Sequence, residues 1–201
     1  MALNLAFGNM TQILSAITPL LLIFFLLMSS VINHDIKGII YLMGVLLAIF
    51  VAGILANMVA SPRNPLAPLT CQLFNIPGYP SQYNNPALNS LIITFTATYL
   101  MIPLYQQNET NPLLIAVLLL LLVVDGITKV TLLCNTWSGV IFGSLLGVFL
   151  GAMYFSMLYN YGSKDLLYFM ETVSDRKICS MPKKQKFKCN VYKNGELIQT
   201  L

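Results

Sequence analysis

Five runs of about 20 mostly apolar residues divide this chain, and they restrict its fold more than any other feature. At about 1.5 Å of rise per residue, 20 helical residues cross the roughly 30 Å hydrocarbon layer of a bilayer. Backbone groups in that layer must bond internally, so each run is read as a helix. The spans lie at about Thr11 to Ile32, Gly38 to Ala60, Ala87 to Tyr105, Asn111 to Leu133 and Ser138 to Tyr159. A second span follows the first at once, where a cleaved signal peptide would be followed by a soluble domain, so the first is expected to stay in the protein. Only 18 of 201 residues are charged, 9%, where a soluble domain carries roughly 25%. Residues 1–159 hold three bases (Lys37, Arg63, Lys129) and three acids (Asp35, Glu109, Asp125), so the net charge of +4 belongs to residues 160–201. The expected architecture is therefore all-α: a five-span membrane domain, 1–159, and a basic tail, 160–201.

Basic residues close to a span favour the cytosolic side, which places the tail in the cytosol. Lys37 then lies inside, and the loops after the second and fourth spans face outward. Of two sequons, Asn9-Met10-Thr11 would be outside and Asn108-Glu109-Thr110 inside, so they cannot both be used. In the tail, Ser163 can cap a short amphipathic helix with Leu166, Phe169, Met170 and Val173 on one face. Phe187 to Tyr192 and Glu196 to Leu201 read as a β-hairpin turning at Asn194-Gly195. The cluster Lys183, Lys184, Lys186 and Lys188 suits an anionic lipid surface. With no arginine or aromatic pattern beside it, nucleic acid is not expected as a partner.

The loop from Ser61 to Pro86 contains six of the chain's ten prolines and one glycine (Pro62, Pro65, Pro68, Pro77, Gly78, Pro80, Pro86), a density that opposes helix and strand. Long loops of this kind are often functional. Two stripes of small residues, Gly139, Gly143, Gly147, Gly151 and Gly44, Ala48, Ala52, Ala56, recur every fourth position and allow close helix packing, within the chain or between copies. Asp125 and Lys129 stand four apart on the fourth span. They are either a self-neutralising pair or functional groups in the membrane.

Three stretches carry a family resemblance: NMVASPRNP (Asn57 to Pro65), PGYPSQY (Pro77 to Tyr83) and TKVTLLCNTWSGVIFGSLLG (Thr128 to Gly147). Their order and spacing resemble the type 2 phosphatidic acid phosphatase superfamily, with motifs K-x6-R-P, P-S-G-H and S-R-x5-H-x3-D. The resemblance implies a helix bundle with its motifs gathered on one face, usually of six spans, the first of which is missing here. It also implies a histidine nucleophile oriented by aspartate, a second histidine as acid, and basic residues and serine holding phosphate. Transferred by position, Arg63, Pro80 and Ser81 match. The first-motif lysine falls at Ala56 and its proline at Asn64; the glycine and histidine of the second motif fall at Gln82 and Tyr83. In the third motif, serine and arginine become Thr128 and Lys129, the nucleophile falls at Asn135 and the aspartate at Gly139. The chemistry needs two histidines and the chain has one, His34.

Arg63, Ser81 and Lys129 remain as candidate ligands for phosphate or a lipid headgroup. The implied convergence of the motif loops brings Cys71 and Cys134 within reach of a disulfide. Cys179 and Cys189 flank the tail lysines, and no four-ligand metal set is recognisable. No cofactor is expected. The expectation is a non-enzymatic, structural or lipid-contacting protein whose partners are membrane lipids and other membrane subunits, as in an organellar complex or a viral membrane. The alternatives are a divergent lipid phosphatase and a small transporter using Asp125 and Lys129.

Overall fold

The computed structural model describes residues 7–68, 71, 78–107, 111–161, 166–169, 190–193 and 196–200. Five helices are long and apolar enough to cross a membrane: α1 (Phe7–Ile32), α2 (Lys37–Val59), α3 (Leu88–Gln106), α4 (Pro112–Thr131) and α5 (Trp137–Asn160). Local chemistry sets several ends. Asn111 caps α4 by accepting from the Leu114 N–H at 3.2 Å, with Pro112 following where no donor is needed. Thr136 caps α5 through the Gly139 N–H at 3.2 Å. In the α1–α2 turn Ser30 Oγ donates to Asp35 and accepts from the Gly38 N–H at 3.0 Å, while Asp35 Oδ1 accepts from the Lys37 N–H at 3.1 Å. A carboxylate there also complements the positive end of α2.

The third helix is the centre of the bundle. Leu91, Ile92, Ile93, Phe95 and Tyr99 are almost fully buried, which explains why α3 is the least apolar of the five spans: it faces protein more than lipid. The glycine stripe of α5 lies against it. A Cβ at Gly143 would meet the Ala87 backbone nitrogen at 2.9 Å, and one at Gly151 the Phe95 carbonyl at 2.9 Å. The α2 stripe is equally buried, with Ala48, Ala52 and Ala56 at 0% exposure and Gly44 against the Tyr154 ring. Both stripes thus pack within the chain. Several polar groups in this core are paired: Tyr41 and Thr96 share a hydroxyl bond of 2.6 Å, and Tyr154 donates to the Ile40 carbonyl at 2.7 Å, whereas the buried Tyr99 and Ser90 hydroxyls have no hydrogen-bond partner among the described residues. Outward faces of α1, α2, α4 and α5 carry exposed apolar side chains such as Phe25, Phe50, Leu120 and Phe149, as lipid contact requires.

The chain divides into two compact units, Met1–Glu171 and Thr172–Leu201. The first unit reaches past α5 because Leu167 and Tyr168 are buried in the helical core. Tyr168 donates to the Leu26 carbonyl at 2.7 Å, and burial together with nearby Asp35 raises its pKa to about 12, against the effect of Ser30. The expected amphipathic face is corrected here: residues 166–169 form turns, Phe169 has φ of 61°, and the buried side chains are Leu167 and Tyr168 rather than Leu166 and Phe169. The Leu26 carbonyl lies within α1, and loss of this one neutral hydrogen bond in Tyr168→Phe is expected to cost about 1 kcal/mol in thermal unfolding of the detergent-solubilised protein.

In the second unit β1 (Asn190–Lys193) and β2 (Glu196–Thr200) pair antiparallel, Asn190 opposite Thr200 and Lys193 opposite Glu196, with an irregularity between Val191 and Tyr192. Asn194 and Gly195, the lysine cluster 183–188, Cys179, Cys189, Ser163, Met170, Val173 and the Asn108 sequon lie outside the described residues.

Candidate functional site

The long loop is given shape by its own two ends. Arg63 N–H donates to the Gln82 carbonyl at 3.0 Å, Asn84 N–H donates to the Ser61 carbonyl at 3.1 Å, and Pro62 opposes Tyr83 in an antiparallel bridge. Proline is tolerated in such a pair because it sits where no ladder donor is needed. Farther along, the Gly78 carbonyl lies where a Cβ on Gly53 would be, so the loop descends onto α2 only because residue 53 is glycine. Ala87 N–H then donates to the Gly139 carbonyl at 2.9 Å, joining the loop end to the start of α5.

The α4–α5 connection meets this loop from the other side. Leu133 adopts φ of 59°, which turns the chain back so that the N–H groups of Cys134 and Asn135 donate to the Lys129 carbonyl at 2.9 and 3.2 Å. Asn135 Nδ2 donates to the Asn84 carbonyl at 2.6 Å. A disulfide joins Cys71 to Cys134 with Cα atoms 5.5 Å apart. Arg63, Ser81 and Lys129, remote in sequence, consequently line one cavity of about 270 Å³.

That cavity has two kinds of wall. Its polar part comprises Arg63, Lys129, Ser81, Tyr79, Asn89 and Asn135. Its apolar part comes from Ala16, Pro19, Leu20 and Ile23 of α1, Leu42, Leu46 and Ile49 of α2, and Leu88 and Ile92 of α3. Arg63 is half-buried. Its Nη2 donates to the Tyr83 carbonyl at 3.3 Å, whereas Nε and Nη1 are buried without a partner. Burial lowers the Arg63 pKa, but a guanidinium remains charged. Tyr79 donates to the Pro86 carbonyl at 2.6 Å, and burial, opposed by Arg63, raises its pKa to about 12, so it stays a neutral phenol.

Of the two readings left open for Asp125 and Lys129, the structure shows the carboxylate hydrogen-bonded to neighbouring helices, with Lys129 acting on it only through space. Asp125 is 1% exposed, and its Oδ1 accepts from Ser15 Oγ of α1 at 2.6 Å and from Asn89 Nδ2 of α3 at 3.1 Å. Asn89 Nδ2 also donates to the Ser15 carbonyl at 2.9 Å. That carbonyl is available because Pro19, four residues on, has no N–H to offer it. Among the described residues no ion pair joins Asp125 to Lys129. Spacing on one helix allows such a pair, but donors from neighbouring helices reach the carboxylate instead, leaving Lys129 on the cavity wall.

Of the positions where motif residues are replaced, Asn135 is on the wall, while Ala56, Tyr83 and Gly139 are not among the lining residues. Ala56 is fully buried in α2, and Gly139 is pressed against the Asn84 carbonyl, 2.7 Å from where its Cβ would be. His34 occupies the α1–α2 turn, at the opposite end of α2 from the loop. Sequence reasoning missed Tyr79, Asn89 and the α1–α2 wall. An amide two residues inside a span and a proline in the middle of another were the available signals.

Fold and cavity together define an integral, multi-pass helical membrane protein with an amphiphilic cavity at one end of its bundle. The chain belongs to the PAP2 superfamily, whose family model matches residues 37–163. The match runs from the start of α2 to just beyond α5 and leaves α1 outside. No curated protein and no solved structure matches the chain.

Proposed function

We propose that this superfamily member is non-enzymatic and holds the phosphate-bearing headgroup of a membrane lipid at Arg63, Ser81 and Lys129, as a lipid-contacting subunit of a membrane assembly. The observation that carries the reading is Arg63: a guanidinium with Nε and Nη1 buried and unpartnered, on the wall of a cavity shared with Lys129. Buried charged donors are costly unless an acceptor meets them. A phosphate supplies two or three acceptor oxygens of the right charge. The apolar wall from α1 and α2 suits the adjoining hydrocarbon. The absence of a second histidine anywhere in the chain supports a loss of phosphohistidine chemistry, and the only one, His34, is at the wrong end of α2. The bonds of Asp125 to Ser15 and Asn89 support a role in helix packing over ion transport.

For orientation, the Cys71–Cys134 disulfide supports an oxidising compartment on the cavity side, with the basic tail in the cytosol. Arg63→Ala is expected to reduce co-purified anionic phospholipid by about tenfold or more, since hydrogen bonds to charged groups contribute about 1.5–3 kcal/mol. Native mass spectrometry of the protein released from nanodiscs measures this. Unchanged lipid retention would count against the site. Phosphate release from phosphatidic acid that disappears in Arg63→Ala would replace this reading with a phosphatase.

A further inference from the structure

Resting on the headgroup site just proposed, we infer that its lipid enters sideways from the bilayer through a slot between α1 and α2, where one of its acyl chains stays bound. The slot is drawn from two stripes. Ala16, Leu20 and Ile23 on α1 are spaced four and then three residues apart, and so are Leu42, Leu46 and Ile49 on α2. Each set therefore shares one helical face. All six line the cavity that Arg63, Ser81 and Lys129 close at its polar end, so the cavity runs down the seam between the two helices. From Leu42 to Val59, the end of α2 nearest Arg63, the helix rises roughly 25 Å at about 1.5 Å per residue. That approaches the roughly 30 Å of hydrocarbon in a bilayer and far exceeds what a headgroup fills.

Exposure along the seam shows where it opens. Ala16 and Ile49 are buried, at 6% and 4% exposure, whereas Leu20 and Leu46 are 37% and 50% exposed. The buried pair forms the floor and the exposed pair the lips, so the cavity meets the surrounding hydrocarbon between the helices. At the α1–α2 turn the seam is shut. A Cβ on Gly38 would lie 2.6 Å from Ser30 Cβ and 3.2 Å from the Leu26 carbonyl oxygen, and the Gly38 N–H donates to Ser30 Oγ at 3.0 Å. Ile23 and Leu42, the last lining residues before that clasp, end the slot.

The occupant follows from the two ends taken together. Water gains no hydrogen bond from aliphatic side chains, and at the polar end Arg63 Nε and Nη1 are buried without a partner among the described residues. An acyl chain attached to a phosphate satisfies both ends, apolar against apolar and anion against guanidinium. A cavity of about 270 Å³ drawn out along this length is narrow, which suits one chain. Half of the slot comes from α1, which lies outside the stretch matched to the family, so this wall is built by a part of the chain beyond the match.

Photolabelling tests the inference. The full chain is placed in phosphatidylcholine nanodiscs containing a small share of phosphatidic acid with a diazirine on one acyl chain, illuminated, and its adducts are located by peptide mass spectrometry. Adducts are expected to concentrate on residues 16–23 and 42–49, above the outward-facing Leu120 and Phe149. That excess should fall about tenfold in Arg63→Ala, the effect of losing hydrogen bonds to a charged group. Ala16→Phe fills the floor of the slot, leaves Arg63, Ser81 and Lys129 in place, and is expected to remove the excess. Leu20→Ala combined with Leu46→Ala alters only the exposed lips and serves if Ala16→Phe does not fold; it should reduce the excess about threefold through lost dispersion contacts. Adducts spread evenly over the outward faces of the helices would overturn the inference, as would an excess untouched in the folded slot variants. If Arg63→Ala lowers lipid retention while adducts avoid the slot, the slot fails and the headgroup site stands. If the slot is labelled but Arg63→Ala changes neither labelling nor retention, the headgroup site fails while the slot still holds a chain.

Discussion

Gly147→Val is expected to abolish folding of the bundle, seen as loss of monodisperse protein in detergent. A Cβ at position 147 would fall onto Thr94 Oγ1 and the Leu91 carbonyl, and 3.0 Å from the Phe95 nitrogen. Two of these three atoms belong to the α3 backbone, which cannot rotate aside as a flexible side-chain end can. Overpacking a tight core costs about 1–3 kcal/mol where side chains can adjust, and here the helices themselves must separate. Separation would break the contact between α5 and α3 on which the centre of the bundle rests and withdraw Gly139 from Ala87 at the cavity rim. Gly126→Ala is the matched control. Its added carbon meets only Val140 Cγ1, at 3.2 Å, so a change in unfolding temperature of a few degrees at most is expected. If Gly147→Val purified in normal yield with an unchanged unfolding temperature, the close approach of α3 and α5 would be wrong.

Removing the Cys71–Cys134 disulfide should leave the helices in place while dispersing the site. The bridge spans a sequence separation of 63 residues, and the loop-closure relation gives about 4 kcal/mol for a closed segment of that size. A membrane protein that unfolds with its helices still inserted gains less chain entropy, so a loss of about 2–4 kcal/mol is expected on reduction or in Cys71→Ser. Helix content by circular dichroism should be unchanged, because α3 and α5 do not depend on the bridge. Lipid retention should fall, because Arg63 and Ser81 belong to the segment that the bridge ties to Lys129 and Asn135. Cys71→Ser with full retention and stability would show that backbone bonds such as Ala87 to Gly139 suffice to hold the loop.

Much of the scaffold is legible in the residue order. Hydrocarbon accepts no unsatisfied backbone polar group, so runs of about 20 apolar residues report helices whatever packs beside them. The expected span limits accordingly differ from the helix limits by a few residues, the main extension being the turn from Phe7 at the start of α1. Prolines from Pro62 to Pro86 announced an irregular loop for an equally local reason. Arg63, Ser81 and Lys129 were found through motif spacing, and the structure places all three on one cavity. The Asp125–Lys129 pair shows where local reasoning stops: spacing says which groups can meet on one helix, but not which donors arrive from others.

For this chain, sequence by itself determined the number and position of the membrane helices, the neutral bundle and basic tail, the small-residue faces and the scarcity of proton-transfer groups. These follow from solvation and helical periodicity, which act on neighbouring residues. Only the tertiary structure decided that the glycine face of α5 meets α3, that Asp125 is held by Ser15 and Asn89, that Tyr168 reaches the Leu26 carbonyl, and that α1 and α2 complete an apolar wall beside Arg63 and Lys129. Each of those contacts joins residues far apart in the chain, where the outcome depends on competition among partners that no local pattern records.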